Sequence, residues 1–122
     1  HSYDGLDELS TGAKVKVSDA QNGRVESFDL DPKTLGFQVG HISELSGGSV
    51  EHNARIMRAI LEGDVRGSAR DVVVLNAAAA LHVVGKGELS EMVKMAEESL
   101  LSGAALEKLQ QLIAVCGKDL IN

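Results

Sequence analysis

An almost unbroken apolar run, VVVLNAAAALHVV at residues 72–84, constrains the fold of this chain more than any other feature. Residues 68–71 precede it with the S-x-x-D form of a helix capping box, and Gly85 follows it as a stop signal. A helix that is apolar on all sides belongs in a protein interior, and its four consecutive alanines let neighbours approach closely. Asn76 and His82 interrupt the run, which is also too short to span a bilayer. The sequence therefore predicts a buried central helix.

Three further segments have the apolar spacing of amphipathic helices. They are about Val50–Glu62, Leu89 to Ser102-Gly103, and Leu106–Cys116. Ser49 is the expected N-cap of the first, with Glu51 placed favourably in its first turn, and Gly63 ends it. Gly117 is the expected C′ residue of the last. Together with the apolar run, these segments predict four helices in the second half of the chain.

The first part of the chain alternates apolar and polar residues, as half-exposed strands do. Residues 13–19 and 24–30 are the two alternating runs, and Asn22-Gly23 lies between them. Asn-Gly supplies the positive φ that a tight hairpin turn requires, and Asp31-Pro32 stops the pairing because proline has no N–H to donate. Residues 34–48 are irregular in pattern. The sequence thus predicts an α/β fold with a β-hairpin followed by four helices.

Charge and composition exclude several kinds of partner. The chain has 18 acidic and 12 basic side chains, a net charge of −6 and a pI near 5.1, which argues against binding to a nucleic-acid backbone. One Tyr, two Phe and no Trp leave no aromatic platform for single strands. The single cysteine, Cys116, and the absence of a leader pattern indicate the reducing cytoplasm. Because the chain begins at His1 rather than Met, we expect a fragment of a longer protein.

The densest polar cluster is HSYDGLDELS at residues 1–10, where Asp4, Asp7 and Glu8 lie around a glycine. Adjacent carboxylates on a loop suit Mg²⁺, which prefers a few oxygen ligands and keeps several waters for bridging to phosphates. The same spacing also fits a solvated turn in which Asp4 or Asp7 accepts hydrogen bonds from nearby N–H groups. The residues alone leave the magnesium site and the solvated turn open.

Other polar residues favour structural roles. Residues 46–49, SGGS before a helix, could cradle an anion, but a capped loop is the more common outcome. His82 is expected to be a satisfied core residue, and Asn76 to bond neighbouring backbone, because an unsatisfied buried amide costs about 1–3 kcal/mol. Cys116 lies in an apolar stripe and is expected to pack inertly. The chain has no G-x-S-x-G elbow, Walker loop or C-x-x-C motif and offers no catalytic residue.

Four sequence blocks carry a family resemblance. In order, they are HSYDGLDELS, SGGSVEHNARIMRAILEGDVRG, RDVVVLNAAAALHVVGK and SLLSGAALEKL. They cover nearly the whole chain and closely resemble the C-terminal portion of the anthranilate phosphoribosyltransferases, of which the H-[GS]-x-x-G-[LM]-D-E-[LV]-S block is a specific signature. The resemblance implies that residues 1–122 are a C-terminal fragment of the α/β glycosyltransferase domain, with a nucleoside phosphorylase/phosphoribosyltransferase-like fold.

Members of that family transfer the phosphoribosyl group of 5-phosphoribosyl 1-diphosphate to anthranilate and release diphosphate, in tryptophan biosynthesis. The resemblance implies that Asp7 and Glu8 ligate Mg²⁺, which neutralises charge on the departing diphosphate. It also implies a cytoplasmic, homodimeric parent enzyme. The family's N-terminal helical domain, its G-T-G-G-D diphosphate loop and its anthranilate-binding residues have no counterpart here. No substrate-binding residue is therefore assigned, and the isolated 122 residues are expected to be inactive.

Two other classes compete with this interpretation. Pyrimidine nucleoside phosphorylases share the fold and act on a phosphorylated ribose, but they lack the D-G-L-D-E-L-S block. A non-catalytic relative of the transferases binds nucleic acid and would need a basic face, whereas this chain carries a net charge of −6.

Overall fold

The chain folds into a two-stranded antiparallel sheet followed by four helices, as its patterning predicts. The computed structural model describes residues 1–116, and Gly117, the predicted C′ residue of the last helix, lies outside them. The elements are β1 Val15–Gln21, β2 Arg24–Leu30, α1 Val50–Glu62, α2 Ser68–Val83, α3 Leu89–Leu101 and α4 Ala104–Cys116. Two short 3₁₀ turns, Pro32–Leu35 and Ile42–Leu45, lie in the irregular stretch between the hairpin and α1.

The hairpin has the predicted turn and a fixed register. Val15 pairs with Leu30 at the open end and Gln21 with Arg24 beside the turn. The turn residues Asn22 and Gly23 have φ of 51° and 74°, the left-handed conformation that Asn-Gly tolerates. Val15 and Leu30 are buried, so the open end of the hairpin is the end that joins the core.

Local residues set the bounds of α1. The Ser49 hydroxyl accepts a hydrogen bond from the His52 N–H at 3.2 Å, which caps the first turn. Gly63, with a φ of 83°, ends the helix in a left-handed conformation. Both predicted ends of this helix are confirmed.

Helix α2 is central, but only one of its faces is buried. Its residues Val74, Leu75 and Ala78 join the core. The other members of this core are Phe37 and the α3 residues Met92, Val93 and Ala96. On the opposite side Val73 is 40% exposed and Val83 is 76% exposed. The prediction of burial on all sides is therefore wrong for residues 1–116, because within this range α3, the preceding turns and the N-terminal loop cover only one side of the helix.

Two smaller predictions are also wrong. The capping box at residues 68–71 does not form, because the Ser68 hydroxyl donates to the Glu44 carboxylate and Gly67 occupies the N-cap position. Cys116 is exposed rather than packed, and α4 contains no buried residue. No helix within residues 1–116 combines the length and apolarity needed to cross a membrane.

Candidate metal-binding loop

The N-terminal loop, residues 1–13, is folded around the fully buried side chain of Ser2. The Ser2 N–H donates to the Leu6 carbonyl at 2.8 Å. The Ser2 hydroxyl donates to the Glu8 carbonyl and accepts from the Ser10 N–H, each at 2.8 Å. One serine therefore fixes the backbone on both sides of Asp7.

Gly5 allows the loop to turn. Its N–H donates to the Ser2 carbonyl at 3.2 Å, and its φ is 98°. A residue with a Cβ atom is strained in this left-handed region, so glycine is the natural residue at this point of the motif.

Asp4 is a structural carboxylate of the loop. One of its oxygens accepts a hydrogen bond from the Leu6 N–H at 3.3 Å, and the other accepts from the Ser10 hydroxyl at 2.6 Å. The Ser10 oxygen in turn accepts from the Gly12 N–H at 2.9 Å. The solvated-turn interpretation thus describes Asp4, whose oxygens are already occupied.

Asp7 and Glu8 differ from Asp4 because their carboxylates are unoccupied. Both residues are exposed, and within residues 1–116 neither side chain makes a hydrogen bond or an ion pair. Two adjacent free carboxylates on an anchored backbone suit a hard cation. The same part of the chain has no group of three His, Cys, Asp or Glu placed to hold a metal ion. The donor set therefore fits a largely hydrated Mg²⁺ that takes its other ligands from water and phosphate, rather than an ion enclosed by protein.

Glu8 also lines an open cleft. The cleft has a volume of about 450 Å³ and lies between the N-terminal loop, the second 3₁₀ turn, α1 and α2. Glu44 lies on the same cleft, and Ile56, Ile60 and Val72 give it apolar walls. One of the two candidate metal ligands, Glu8, thus borders a space that is open to a small molecule.

Asn76 of α2 binds the loop directly after Glu8. Its side-chain oxygen accepts from the Leu9 N–H at 3.1 Å, and its side-chain nitrogen donates to the Leu9 carbonyl at 2.8 Å. The same nitrogen donates to the Val72 carbonyl at 2.9 Å. The prediction that Asn76 bonds backbone is confirmed, but Leu9 was not anticipated as its partner. A lone amide in an apolar helix indicates that it needs a hydrogen-bond partner, but it does not indicate that this partner is Leu9, 67 positions away.

The other polar candidates are occupied by local contacts. At residues 46–49, the Gly48 N–H donates to the Asn53 side chain at 2.8 Å, as expected of a capped loop. His82 Nδ1 lies 2.8 Å from the Gly87 carbonyl oxygen, and His82 Nε2 lies 3.6 Å from Asp19. His82 is therefore satisfied, as predicted, but it is not a core residue, because its side chain is 28% exposed.

Comparison with known proteins places this arrangement in a family. Residues 1–106 match the glycosyl transferase family, a/b domain. The chain is 44% identical over 115 residues to the anthranilate phosphoribosyltransferase of Methanocorpusculum labreanum, and the match covers 93% of this chain and 34% of that protein. It is 48% identical over 116 residues to the enzyme of that name from Thermomicrobium roseum, with 92% and 33% covered.

Solved structures agree with the sequence matches. The anthranilate phosphoribosyltransferase of Thermus thermophilus superposes with a TM-score of 0.82 at 34% identity, covering 91% of this chain and 33% of that chain. A variant of the Saccharomyces cerevisiae enzyme solved with Mg bound gives a TM-score of 0.82 at 27% identity, covering 92% and 33%.

The chain spans about a third of the length of the curated relatives it matches. The family match nevertheless takes in the hairpin, α1, α2, α3 and the N-terminal loop with its two free carboxylates. On this agreement of sequence and fold, the chain belongs to the glycosyl transferase family whose a/b domain matches residues 1–106.

Proposed function

We propose that this chain is part of an anthranilate phosphoribosyltransferase, which transfers the phosphoribosyl group of 5-phosphoribosyl 1-diphosphate to anthranilate and releases diphosphate in tryptophan biosynthesis. Support comes from the matched relatives of that name, which are 40–48% identical to this chain. A further solved structure, the Saccharomyces cerevisiae enzyme in complex with 4-fluoroanthranilate, matches with a TM-score of 0.80 at 27% identity. It covers 88% of this chain and 32% of that chain.

The observation that carries the proposal is the contrast between an anchored backbone and free carboxylates. The loop is fixed at Leu6, Glu8, Leu9 and Ser10, whereas the side chains of Asp7 and Glu8 have no protein partner within residues 1–116. A site that is already in place gives up less conformational freedom when it binds a ligand. We assign Asp7 and Glu8 the role of holding Mg²⁺.

Bound Mg²⁺ would neutralise the negative charge that develops on a departing diphosphate. The chain's own contribution is to present two adjacent carboxylates on an anchored backbone, and one of them, Glu8, lines the open cleft. Neither carboxylate is proposed as a general acid, a general base or a nucleophile. Catalytic and substrate-binding residues are not assigned on this chain.

A cytoplasmic location and a homodimeric whole protein belong to the same proposal. Both follow from the family resemblance. The single cysteine of the chain is consistent with a reducing compartment.

The proposal is tested with Asp7→Asn and Glu8→Gln in the natural protein that contains this chain. The Mg²⁺ concentration for half-maximal diphosphate release should rise by about tenfold or more. Replacing residues that only hydrogen-bond to metal ligands can already lower metal affinity by this much. The thermal midpoint should stay unchanged, because both side chains are exposed and, within residues 1–116, make no hydrogen bond or ion pair.

Glu98→Gln is the matched control, since it removes one exposed carboxylate from α3 outside the loop. It should leave the Mg²⁺ requirement unchanged. Full activity of either loop variant at low Mg²⁺ would show that the metal assignment is wrong.

A further inference from the structure

Four successive backbone groups after the proposed ligands are tied to protein side chains. The Glu8 carbonyl and the Ser10 N–H bind the Ser2 hydroxyl. The Leu9 N–H and the Leu9 carbonyl, which lie between them, bind the side-chain amide of Asn76. The path of the chain immediately after Glu8 is therefore determined by two side chains, one inside the loop and one on α2.

The amide of Asn76 is well suited to this contact. One oxygen acceptor and one nitrogen donor engage both polar groups of a single residue, in the way that two peptide groups pair in a sheet. Two parallel bonds fix the orientation of the Leu9 backbone as well as its distance from α2. The second N–H of the amide is taken by the Val72 carbonyl, which holds the Asn76 side chain itself in place.

Other side chains do not reproduce this contact. An aspartate has no donor and would place negative charge against two carbonyl oxygens. A leucine of similar size would leave both backbone groups of Leu9 unpaired. A serine is shorter, so it keeps a bond to the carbonyl four residues earlier on its own helix but does not reach the loop.

We propose that Asn76 is a positioning residue for the metal-binding loop: it fixes the Leu9 backbone and thereby the place of the Asp7 and Glu8 carboxylates. The proposal rests on the proposed Mg²⁺ site. It assigns to α2, whose buried residues otherwise form the core, a direct part in the geometry of that site. Residues that orient metal ligands without touching the metal commonly change metal affinity 10–100-fold when replaced.

The test measures metal binding directly. Mn²⁺ is titrated into the natural protein that contains this chain in the presence of inorganic diphosphate, and free Mn²⁺ is followed by electron paramagnetic resonance. Asn76→Ser should weaken Mn²⁺ binding by about tenfold or more. Asn76→Leu should have at least the same effect, and Asn76→Ser, which keeps a polar side chain bonded to Val72, remains the informative variant if Asn76→Leu does not fold.

Val74→Ala separates positioning from stability. Val74 lies on the same helix, is 1% exposed and belongs to the core, so its truncation lowers the thermal midpoint while leaving both hydrogen bonds between Asn76 and Leu9 in place. It should bind Mn²⁺ within twofold of the parent protein, because the hydrogen bonds that orient the Leu9 backbone remain. A lower midpoint with unchanged Mn²⁺ binding in Asn76→Ser would overturn the proposal and leave Asn76 a purely structural residue.

The Asp7→Asn variant distinguishes the two proposals. If Asp7→Asn weakens Mn²⁺ binding and Asn76→Ser does not, the positioning role alone is wrong. If both Asp7→Asn and Asn76→Ser bind Mn²⁺ like the parent protein, the proposed metal site is wrong, and so is the positioning role of Asn76.

Discussion

At the scale of single residues, the ten-residue N-terminal motif divides its carboxylates between two tasks. Asp4 holds the loop closed, whereas the exposed side chains of Asp7 and Glu8 have no partner within residues 1–116. Hydrogen bonds to a charged group each contribute about 1.5–3 kcal/mol to stability, and Asp4→Ala removes two of them, so it should lower the free energy of unfolding by about 3 kcal/mol or more.

Chemical denaturation of the two variants checks this division. Asp7→Ala is the control, since it removes a neighbouring carboxylate that makes no hydrogen bond within residues 1–116. Equal denaturation midpoints for Asp4→Ala and Asp7→Ala would contradict the structural role of Asp4.

Glu51, in the first turn of α1, gives a pH-dependent prediction. Its own backbone N–H and the Ser49 hydroxyl favour the charged carboxylate, and they hold the pKa of Glu51 below its ordinary value. A lowered pKa in the folded state means that this contribution to stability is present above the ordinary glutamate pKa. It is lost as the pH falls through the lowered pKa.

A nuclear magnetic resonance titration of the Glu51 carboxyl carbon measures that pKa. Ser49→Ala removes one of these two donors and should move the pKa of Glu51 upward, towards its ordinary value. An unchanged pKa in Ser49→Ala would show that the serine does not contribute.

At the scale of elements, α2 has two unlike faces, and substitutions on them should differ accordingly. Leu75 is 0% exposed, and Leu75→Ala should cost about 2–5 kcal/mol through the cavity it leaves. Leu81 is partly buried against the same core, so Leu81→Ala should lie towards the lower end of that range. Val73→Ala, on the exposed face of the same helix, should change stability by no more than about 0.5 kcal/mol.

Thermal or chemical unfolding of the three variants tests this order. The three variants are comparable, because each replaces an aliphatic residue of the same helix, α2, with alanine. If Val73→Ala lowered the free energy of unfolding as much as Leu75→Ala, the assignment of a buried and an exposed face to α2 would be contradicted.

The success of sequence-based prediction differs between α1 and α2 for a physical reason. The ends of α1 depend on Ser49 and Gly63, which act on backbone within a few positions of themselves, so a local pattern was sufficient. At the start of α2 the expected cap, Ser68, does not act as one, because its hydroxyl is taken by Glu44, 24 positions away. A capping pattern cannot reveal a competing partner at that distance.

In the candidate site, too, local features could be predicted from the sequence and long-range contacts could not. The D-E pair was recognisable because its residues are adjacent and belong to a specific motif. Asp4 is a structural residue because its carboxylate accepts a hydrogen bond from Ser10 when the loop closes. Asn76 holds the loop through a tertiary contact with Leu9. Neither is encoded in the spacing of the carboxylates.

At the scale of the whole molecule, the described chain exposes a large amount of apolar surface. Val25 and Phe28 of the hairpin and Val83 and Val84 at the end of α2 are all exposed. The cleft between the hairpin and α2 has a volume of about 730 Å³ and is lined partly by Phe28 and Val83. Apolar surface of this kind favours association.

We therefore expect the 122 residues, expressed alone, to self-associate and to show no phosphoribosyl transfer. Sedimentation velocity measures the first, and release of diphosphate from 5-phosphoribosyl 1-diphosphate and anthranilate measures the second. Phe28→Lys, on the cleft wall, should reduce association. A monodisperse species of 12.9 kDa would contradict the first expectation, and turnover by material of confirmed mass would contradict the second.

The bond between Leu9 and Asn76 also sets an order of events during synthesis. At about 5–20 residues per second, a separation of 67 positions means that Asn76 is made about 3–13 s after Leu9. During that interval the acidic motif has left the peptidyl transferase centre without the helix that holds it. The carboxylates are therefore synthesised before the side chain that holds their loop, and their geometry is fixed only after Asn76 has been added.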